Sequence, residues 1–179
     1  MSTEPKTVAF HTMGCKLNFS ETSTISRDFI QQGFKKVNYR DRADIYVINT
    51  CSVTDNADKE ARKLVRQAKR QNPDSSVAVI GCYAQLKPDE IANLDGVDMA
   101  LGAEEKFNLL DHLDELKLSK NTTIFNSSVE RLNDFKPSFS IGEGSVHISK
   151  FKMVAIIHAH SVLFLLQEVG AGVRILKLL

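Results

Sequence analysis

The sequence has little net charge, few cysteines and no apolar leader. Its 179 residues carry a formal charge of +1, so the whole chain has no electrostatic drive toward nucleic acid, and RNA contact requires a local basic face or further domains. Residues Met1–Lys6 are polar and lack the apolar core of a signal peptide, which favours a cytoplasmic location. Three cysteines cannot all pair with one another, and a reducing compartment disfavours disulfides, which leaves metal binding, catalysis or burial as their roles.

Motifs that bind nucleotides or zinc are also missing. No GxGxxG or P-loop pattern follows a predicted strand, which weakens the hypothesis of a nucleotide-binding doubly wound protein with structural cysteines. Zinc usually takes four ligands. His11 lies inside the first predicted strand and His112 inside a late predicted helix, so neither stands in a position that matches the cysteines.

The first 115 residues alternate short apolar runs with helical patterns. The predicted strands are Thr7–Met13, Ile45–Asn49, Ser76–Ile80 and Val97–Leu101. The predicted helices cover Asn18–Gln32, Asp55–Gln71, Pro88–Asn93 and Glu104–Leu116. This alternation is typical of βαβ units around a parallel sheet that is covered on both faces. It predicts an α/β, doubly wound domain of the Rossmann or flavodoxin type, with about four to five strands.

Three regions differ in composition. Residues 6–116 carry the α/β pattern and form the predicted domain. In residues 117–149 the pattern dissolves into Asn, Ser, Asp and Gly, which predicts a linker or the start of a second region. Residues 150–179 form an aberrant apolar tail, in which Met153–Leu166 is too short and too interrupted to predict a membrane span.

Each cysteine stands just past the carboxyl end of a predicted strand. Cys15, Cys51 and Cys82 follow their strands across a single residue. The carboxyl ends of parallel strands lie along one edge of a sheet, where ligands bind, and right-handed crossovers keep consecutive strands close together. We therefore expect the three thiols to converge, although each is more than thirty residues from the next along the chain.

Three thiolates at one point would suit an iron–sulfur cluster, because such clusters are commonly held by cysteine alone. With three protein ligands on a four-iron cluster, one iron keeps an open position. Gly14 and Gly81, each directly before a cysteine, would let the backbone approach the cluster closely. A single cysteine after a strand is more often a small core residue, so the spacing alone leaves both interpretations open.

The segments around the cysteines are similar to the signatures of one protein family. They are Thr12–Asn18 (TMGCKLN, with Glu21 after it), Asn49–Thr54 (NTCSVT, with Ala57, Lys59 and Arg62 after it) and Val79–Gln85 (VIGCYAQ). In this order they resemble the N-terminal domain of the methylthiotransferase family, and the similarity runs from about residue 6 to residue 116.

The resemblance implies a radical-SAM enzyme in which all three cysteines hold an auxiliary 4Fe–4S cluster that carries or donates sulfur. It assigns no catalytic residue to this segment. Asn18, Asn49 and Gln85 belong to the signatures, and we interpret them as turn and strand-end hydrogen-bonders. S-adenosylmethionine and a second 4Fe–4S cluster bind in full-length relatives at a CxxxCxxC motif, which this sequence lacks. The chain is therefore expected not to complete the reaction alone.

The residues next to the cysteines favour one substrate. Lys16 and Val53-Thr54 resemble the branch that adds a methylthio group to C2 of N6-threonylcarbamoyladenosine in tRNA. The expected partners are tRNA and a sulfur donor. The alternatives are the isopentenyladenosine-tRNA branch, the ribosomal-protein branch, and a stand-alone iron–sulfur scaffold or redox module.

Basic residues recur at three- and four-residue intervals along the second predicted helix. They are Lys59, Arg62, Lys63, Arg66, Lys69 and Arg70. Such a pattern is most often a solvated helix face. The functional alternative is a face that tracks tRNA phosphates and adds to the contacts made by the domains that this sequence lacks.

The tail suggests an explanation for the missing motif. When the codons from Lys150 onward are back-translated and read from their third bases, they allow VQDGCDYSCAFCTIPLARG, which resembles the opening of the family's radical-SAM domain. We therefore expect a frameshift near Gly142–His147 and regard residues 150–179 as a frameshifted tail. The coding DNA should contain the three Cys codons in the shifted frame, and without them the hypothesis is wrong.

Overall fold

The computed structural model describes residues 5–14, 16–51, 57–113 and 122–125, together with five strand segments nearer the carboxyl terminus. The first part contains β1 (Thr7–Thr12), α1 (Lys16–Gln31), β2 (Lys35–Val37), β3 (Ile45–Thr50), α2 (Ala57–Gln71), β4 (Ser76–Gly81), α3 (Cys82–Leu86), α4 (Pro88–Ala92), β5 (Met99–Leu101), a 3-10 helix (Glu105–Asn108) and β6 (Thr123–Phe125). The later segments are β7 (Ser138–Gly142), β8 (Ser145–Ser149), β9 (Phe151–Lys152), β10 (Leu166–Val169) and β11 (Gly172–Ile175).

Strands β1 to β6 form one parallel sheet in the order β2-β1-β3-β4-β5-β6. This confirms the predicted doubly wound α/β class, with six strands where about four to five were expected. From β1 the chain crosses outward to β2 and then returns to the other side of β1 to form β3. The reversal places a topological switch point between the carboxyl ends of β1 and β3, where sheets of this kind bind ligands.

The central strands are apolar because both faces of the sheet are covered. Every residue of β3 is buried, and so is every residue of β4 except the first. On one face α1 packs its Ile25 and Phe29 against the sheet, together with Leu109. On the other face α2 and α4 supply the covering residues, among them Leu64 and Ile91. Because helices cover both faces of the sheet, the ends of its strands are where a ligand could approach it.

One predicted helix is wrong. Residues 104–116 were expected to be α-helical, but the structure has a 3-10 helix over Glu105–Asn108, followed by turns up to Leu113. Backbone hydrogen bonds reach back three residues there, from Asp111 N to Asn108 O and from Leu113 N to Leu110 O. Lys106 and Leu109, which are three residues apart, both point into the protein, and the tighter helix brings them onto the same side.

The remaining predictions differ in outcome. The short strands β2 and β6 and the helix α3 were not predicted. The boundaries assigned to the domain, the linker and the tail stay predictions, because residues 114–121, 126–137 and most of 150–179 lie outside the described part of the chain. Among the described helices none is long and apolar enough to cross a membrane.

Candidate functional site

Two of the three cysteines leave neighbouring parallel strands at the same level. Thr50 of β3 pairs with Gly81 of β4, and Cys51 and Cys82 follow these two residues directly. Neighbouring strands are about 4.8 Å apart. Cys51 is buried, Cys82 is half-buried, and neither forms a disulfide within the described residues. Cys15 lies outside the described residues, between Gly14 and the start of α1.

Gly14 lies directly against Cys51. Its φ is 94°, in the region that favours glycine. A Cβ at this position would lie 2.5 Å from the Cβ of Cys51 and 2.8 Å from its Sγ. No side chain fits there, so glycine is required for the end of β1 to reach Cys51. The residue that precedes the first cysteine is therefore in contact with the second.

Gly81 has the same role in front of Cys82. Its φ is 99°, and a Cβ would overlap the Asn49 Oδ1 and would lie 2.6 Å from the Thr50 carbonyl oxygen. Glycine thus lets the ends of β3 and β4 approach one another where the chain turns into α3. The sequence predicted that both glycines let the backbone approach a cluster, which stays a prediction; what the structure shows at each glycine is a close approach of neighbouring strand ends.

Two buried asparagines join the strand ends. The Asn18 amide donates to the carbonyl oxygens of Met13 at 2.8 Å and Thr50 at 3.2 Å. The Asn49 amide donates to Asn18 O at 3.0 Å and to Thr22 Oγ1 at 3.1 Å. The interpretation of both residues as strand-end hydrogen-bonders is confirmed. Asn49 Oδ1 is buried, faces Gly81 and has no hydrogen-bond partner within the described part of the chain.

The turn after β5 is bonded to α1 and α3, the two helices that begin next to or at a cysteine. Gln85, on α3, accepts a hydrogen bond from Ala103 N at 2.8 Å, which confirms its interpretation as a hydrogen-bonder. Lys106 Nζ lies 2.7 Å from Oε1 of Glu21 on α1, and the two side chains are only 3% and 8% exposed. The sequence did not indicate this ion pair. Its one signal is a lysine next to the apolar run that begins at Phe107.

Tyr83 links the helix that begins at Cys82 to α2. Its hydroxyl oxygen lies 3.0 Å from Asp58 Oδ1 and 3.0 Å from Glu90 Oε2. Burial and the two carboxylates raise the pKa of Tyr83. The same Asp58 Oδ1 also accepts a hydrogen bond from Arg62 Nε at 2.8 Å, and this hydrogen bond lowers the pKa of Asp58.

His11 and His112 have structural surroundings. His11 lies on β1 with its ring 5.1 Å from that of Tyr39, and burial lowers its pKa. His112 stacks on Phe125 at 3.8 Å and contacts Glu105 Oε2 at 3.3 Å. Within the described ranges no three His, Cys, Asp or Glu side chains converge as metal ligands, and Cys15 is outside those ranges.

The basic face of α2 is smaller than the sequence predicted. The exposed members are Lys59, Arg62, Lys63, Arg66 and Arg70. Lys69 does not belong to this face, because its Nζ lies 2.9 Å from Asp98 Oδ2 and donates to Ser75 O at 2.6 Å. Asp98, directly before β5, thus holds Lys69 away from the exposed face of α2.

Comparisons with known proteins agree on one family. Residues 7–102 match the model described as uncharacterized protein family UPF0004. The threonylcarbamoyladenosine tRNA methylthiotransferase MtaB of Bacillus subtilis (strain 168) is 45% identical over 111 residues, which are 62% of this chain and 25% of that protein. MtaB of Aquifex aeolicus (strain VF5) is 46% identical over 108 residues, 60% of this chain and 26% of that protein.

A second group of relatives has another name. The tRNA-2-methylthio-N(6)-dimethylallyladenosine synthase of Methylacidiphilum infernorum (isolate V4) is 35% identical over 113 residues, 61% of this chain and 24% of that protein. The match therefore spans about a quarter of the length of the curated relatives.

Proposed function

The chain belongs to the methylthiotransferase family through its UPF0004 segment, and on this premise we propose that it is the N-terminal part of a tRNA methylthiotransferase that acts at C2 of N6-threonylcarbamoyladenosine. The observation that carries the proposal is the contact between Gly14 and Cys51, beside a strand that ends at Cys82. It supports a site shared by three cysteines that are far apart in the sequence.

The proposed ligands of an auxiliary 4Fe–4S cluster are Cys15, Cys51 and Cys82. The described residues fit this group in their chemistry. Within the described residues Cys51 and Cys82 form no disulfide and follow adjacent strands, and Asn49 Oδ1 is a buried acceptor without a partner there. When bound, the cluster would supply an iron with an open position and sulfur for transfer.

The chain's own residues would hold this site in shape. Asn18 fixes the carbonyl groups before the first two cysteines, and Gly14 leaves room for the Cys51 sulfur. Buried hydrogen bonds of this kind orient metal ligands before the metal arrives. S-adenosylmethionine and the second cluster are proposed only for a full-length relative, because this sequence has no CxxxCxxC motif. The chain would then not complete the reaction alone, and a sulfur donor would be a further partner.

The proposed substrate rests on the relatives and on the local sequence. Relatives named for threonylcarbamoyladenosine reach 45% and 46% identity, while a relative named for dimethylallyladenosine reaches 35%. Lys16 and Val53-Thr54 favour the same branch. A cytoplasmic location is part of the proposal, since the substrate is tRNA.

Anaerobic reconstitution with iron and sulfide tests the cluster. The purified chain is expected to bind about four irons and to show the broad visible absorption of an iron–sulfur protein. A chain that binds no iron while folded contradicts the proposal. A chain that binds iron and cycles between two oxidation states, but belongs to no RNA complex, favours the stand-alone redox module.

The exposed stripe on α2 is the proposed tRNA contact of this segment. Lys59, Lys63, Arg66 and Arg70 follow one another at helical spacing, so they lie along one side of α2 over about 16 Å. Phosphate contacts from such a stripe are independent of sequence and position the RNA. Arg62 is excluded from the stripe because it already binds Asp58.

Charge reversal tests this stripe. Lys63→Glu with Arg66→Glu should weaken tRNA binding about tenfold and reduce the slope of log K against log salt by about 2, because two phosphate contacts are lost. Fluorescence anisotropy with labelled tRNA at several salt concentrations measures both quantities. Lys35→Glu with Arg40→Glu is the matched control, since both residues are exposed near the edge strand β2. Equal losses in both variants would reduce the effect to net charge and contradict the proposed contact.

A further inference from the structure

The segment Gly102–Lys106, which follows β5 and includes the first two residues of the 3-10 helix, contacts two of the helices that follow cysteines; it is called the turn below. Helix α1 begins at Lys16, directly after Cys15 in the sequence, and is tied to the turn by Glu21 and Lys106. Helix α3 begins at Cys82 and is tied to the turn by Gln85 and Ala103. The turn itself is closed by the hydrogen bond from Lys106 N to Gly102 O at 3.1 Å. One short segment, about twenty residues beyond the last cysteine, is thus the common anchor of both helices.

The Glu21–Lys106 pair is nearly withdrawn from water. The side chains are 8% and 3% exposed, and Nζ lies 2.7 Å from Oε1. The other carboxylate oxygen, Oε2, is buried and has no hydrogen-bond partner within the described residues. Burying two charges has a desolvation cost that the attraction often fails to exceed, so a buried pair adds little stability over an apolar pair of the same volume. What such a pair does provide is a fixed separation between the elements that carry it.

A different set of contacts sets the position of the middle cysteine. Asn18 joins the Met13 and Thr50 carbonyls, and Gly14 touches Cys51 directly. None of these contacts involves Lys106 or the turn after β5. The contacts that join the start of α1 to Cys51 are therefore different from those that join α1, through Lys106, to the segment bonded to α3.

We infer that Lys106 is a positioning residue, which, through Glu21 and the segment Gly102–Lys106, sets the spacing between the start of α1, next to Cys15 in the sequence, and Cys82 at the start of α3. The inference rests on the proposed function only for the reason why this spacing matters, which is that it would hold a cluster. The spacing itself is a property of the metal-free chain and can be measured there. Asn18 is the corresponding positioning residue for Cys15 and Cys51.

Thiol cross-linking in the metal-free chain measures the two spacings separately. Cys51→Ala leaves the pair Cys15 and Cys82, and Cys82→Ala leaves the pair Cys15 and Cys51. A short reagent that fluoresces only after it has bridged two thiols, such as dibromobimane, reports how often each pair is within reach. Both pairs should cross-link in the otherwise unchanged chain, and a pair that does not cross-link contradicts the inference.

Replacing Glu21 and Lys106 together by Met removes the ion pair without leaving an unpaired buried charge. This exchange is often neutral for stability, so the double variant should remain folded by circular dichroism. Its Cys15–Cys82 cross-linking should fall about tenfold, since a small misplacement of reacting groups has effects of that size. Its Cys15–Cys51 cross-linking should stay within about twofold of the parent, because Asn18 is unchanged.

Two further variants complete the test. Lys106→Arg keeps the charge and should retain most of the Cys15–Cys82 cross-linking. Lys69→Met breaks the Lys69–Asp98 pair at the opposite edge of the sheet, where β5 begins, and should change neither pair. A double variant that slows both pairs alike, or a Lys69→Met chain that behaves like it, would mean general loosening and would overturn the inference.

Reconstitution of the same variants separates this inference from the proposed function. If the parent chain holds iron, the double Met variant should lose it faster to a chelator than Lys69→Met does. If the parent chain holds no iron but the cross-linking follows the expected pattern, the cluster proposal fails and the positioning role of Lys106 stands.

Discussion

Gly14→Ala is expected to abolish iron binding and to lower the free energy of unfolding by about 3 kcal/mol. Two effects add. A non-glycine residue at a φ of 94° bears a backbone penalty of about 1–2 kcal/mol. The new methyl group would also overlap Cys51, whose Cβ and Sγ would lie 2.5 Å and 2.8 Å away, and a buried overlap of this size costs about 1–3 kcal/mol. To relieve it, Cys51 has to leave the position that Gly14 now allows.

Gly33→Ala is the matched control. Gly33 has a φ of 87°, close to that of Gly14, but nothing lies within 4 Å of the place its Cβ would take. This variant should show only the backbone penalty of about 1–2 kcal/mol and should bind iron normally. Urea unfolding and iron analysis give the two readouts. If the two alanine variants lose equal stability and both keep their iron, the contact between Gly14 and Cys51 has no role in the site.

Cys51→Ala is expected to reduce bound iron from about four per chain to nearly none. Cys51 is the middle member of the proposed ligand set, beside Gly14 on one side and the strand leading to Cys82 on the other. Two remaining thiols cannot replace it, since the described residues offer no further group of three metal-ligating side chains. Iron and sulfide analysis after anaerobic reconstitution, with the absorption spectrum, checks the result.

The loss of iron in Cys51→Ala should occur without unfolding. Only one sulfur is removed from a residue that is 6% exposed, so the small cavity should cost about 1–2 kcal/mol. Cys82→Ala, at a half-buried position, should lose iron equally and destabilise the chain less. Full iron binding by either variant would remove that cysteine from the ligand set and return it to the role of a small core residue.

The sequence predicted the centre of this fold better than its margins. Strands β3 and β4 are buried on both faces, so their composition alone marks them. The strands β2 and β6 have three residues each, too few for a pattern, and they exist because a neighbouring strand offers hydrogen bonds. For the same reason the strand count was predicted too low.

The residues of the candidate site also differ in how well the sequence predicts them. The cysteine positions and the glycines before them follow from strand–turn–helix chemistry, which is local and can be predicted. The burial of Lys106 depends on Glu21, eighty-five positions earlier in the chain, and Lys69 is turned inward by Asp98. A charged residue's partner across such distances is set by tertiary packing, so periodicity assigned Lys69 to a solvent face and did not indicate the ion pair of Lys106 with Glu21.

The all-parallel pairing of β1, β3 and β4 also orders events in time. Parallel neighbours are joined by long crossovers, so the contacts between Gly14, Cys51 and the end of β4 are all distant in sequence. Contacts of this kind form late, after the entropy of loop closure has been overcome. A nascent or denatured chain therefore holds its thiols apart, and the proposed cluster would assemble only after the sheet has closed.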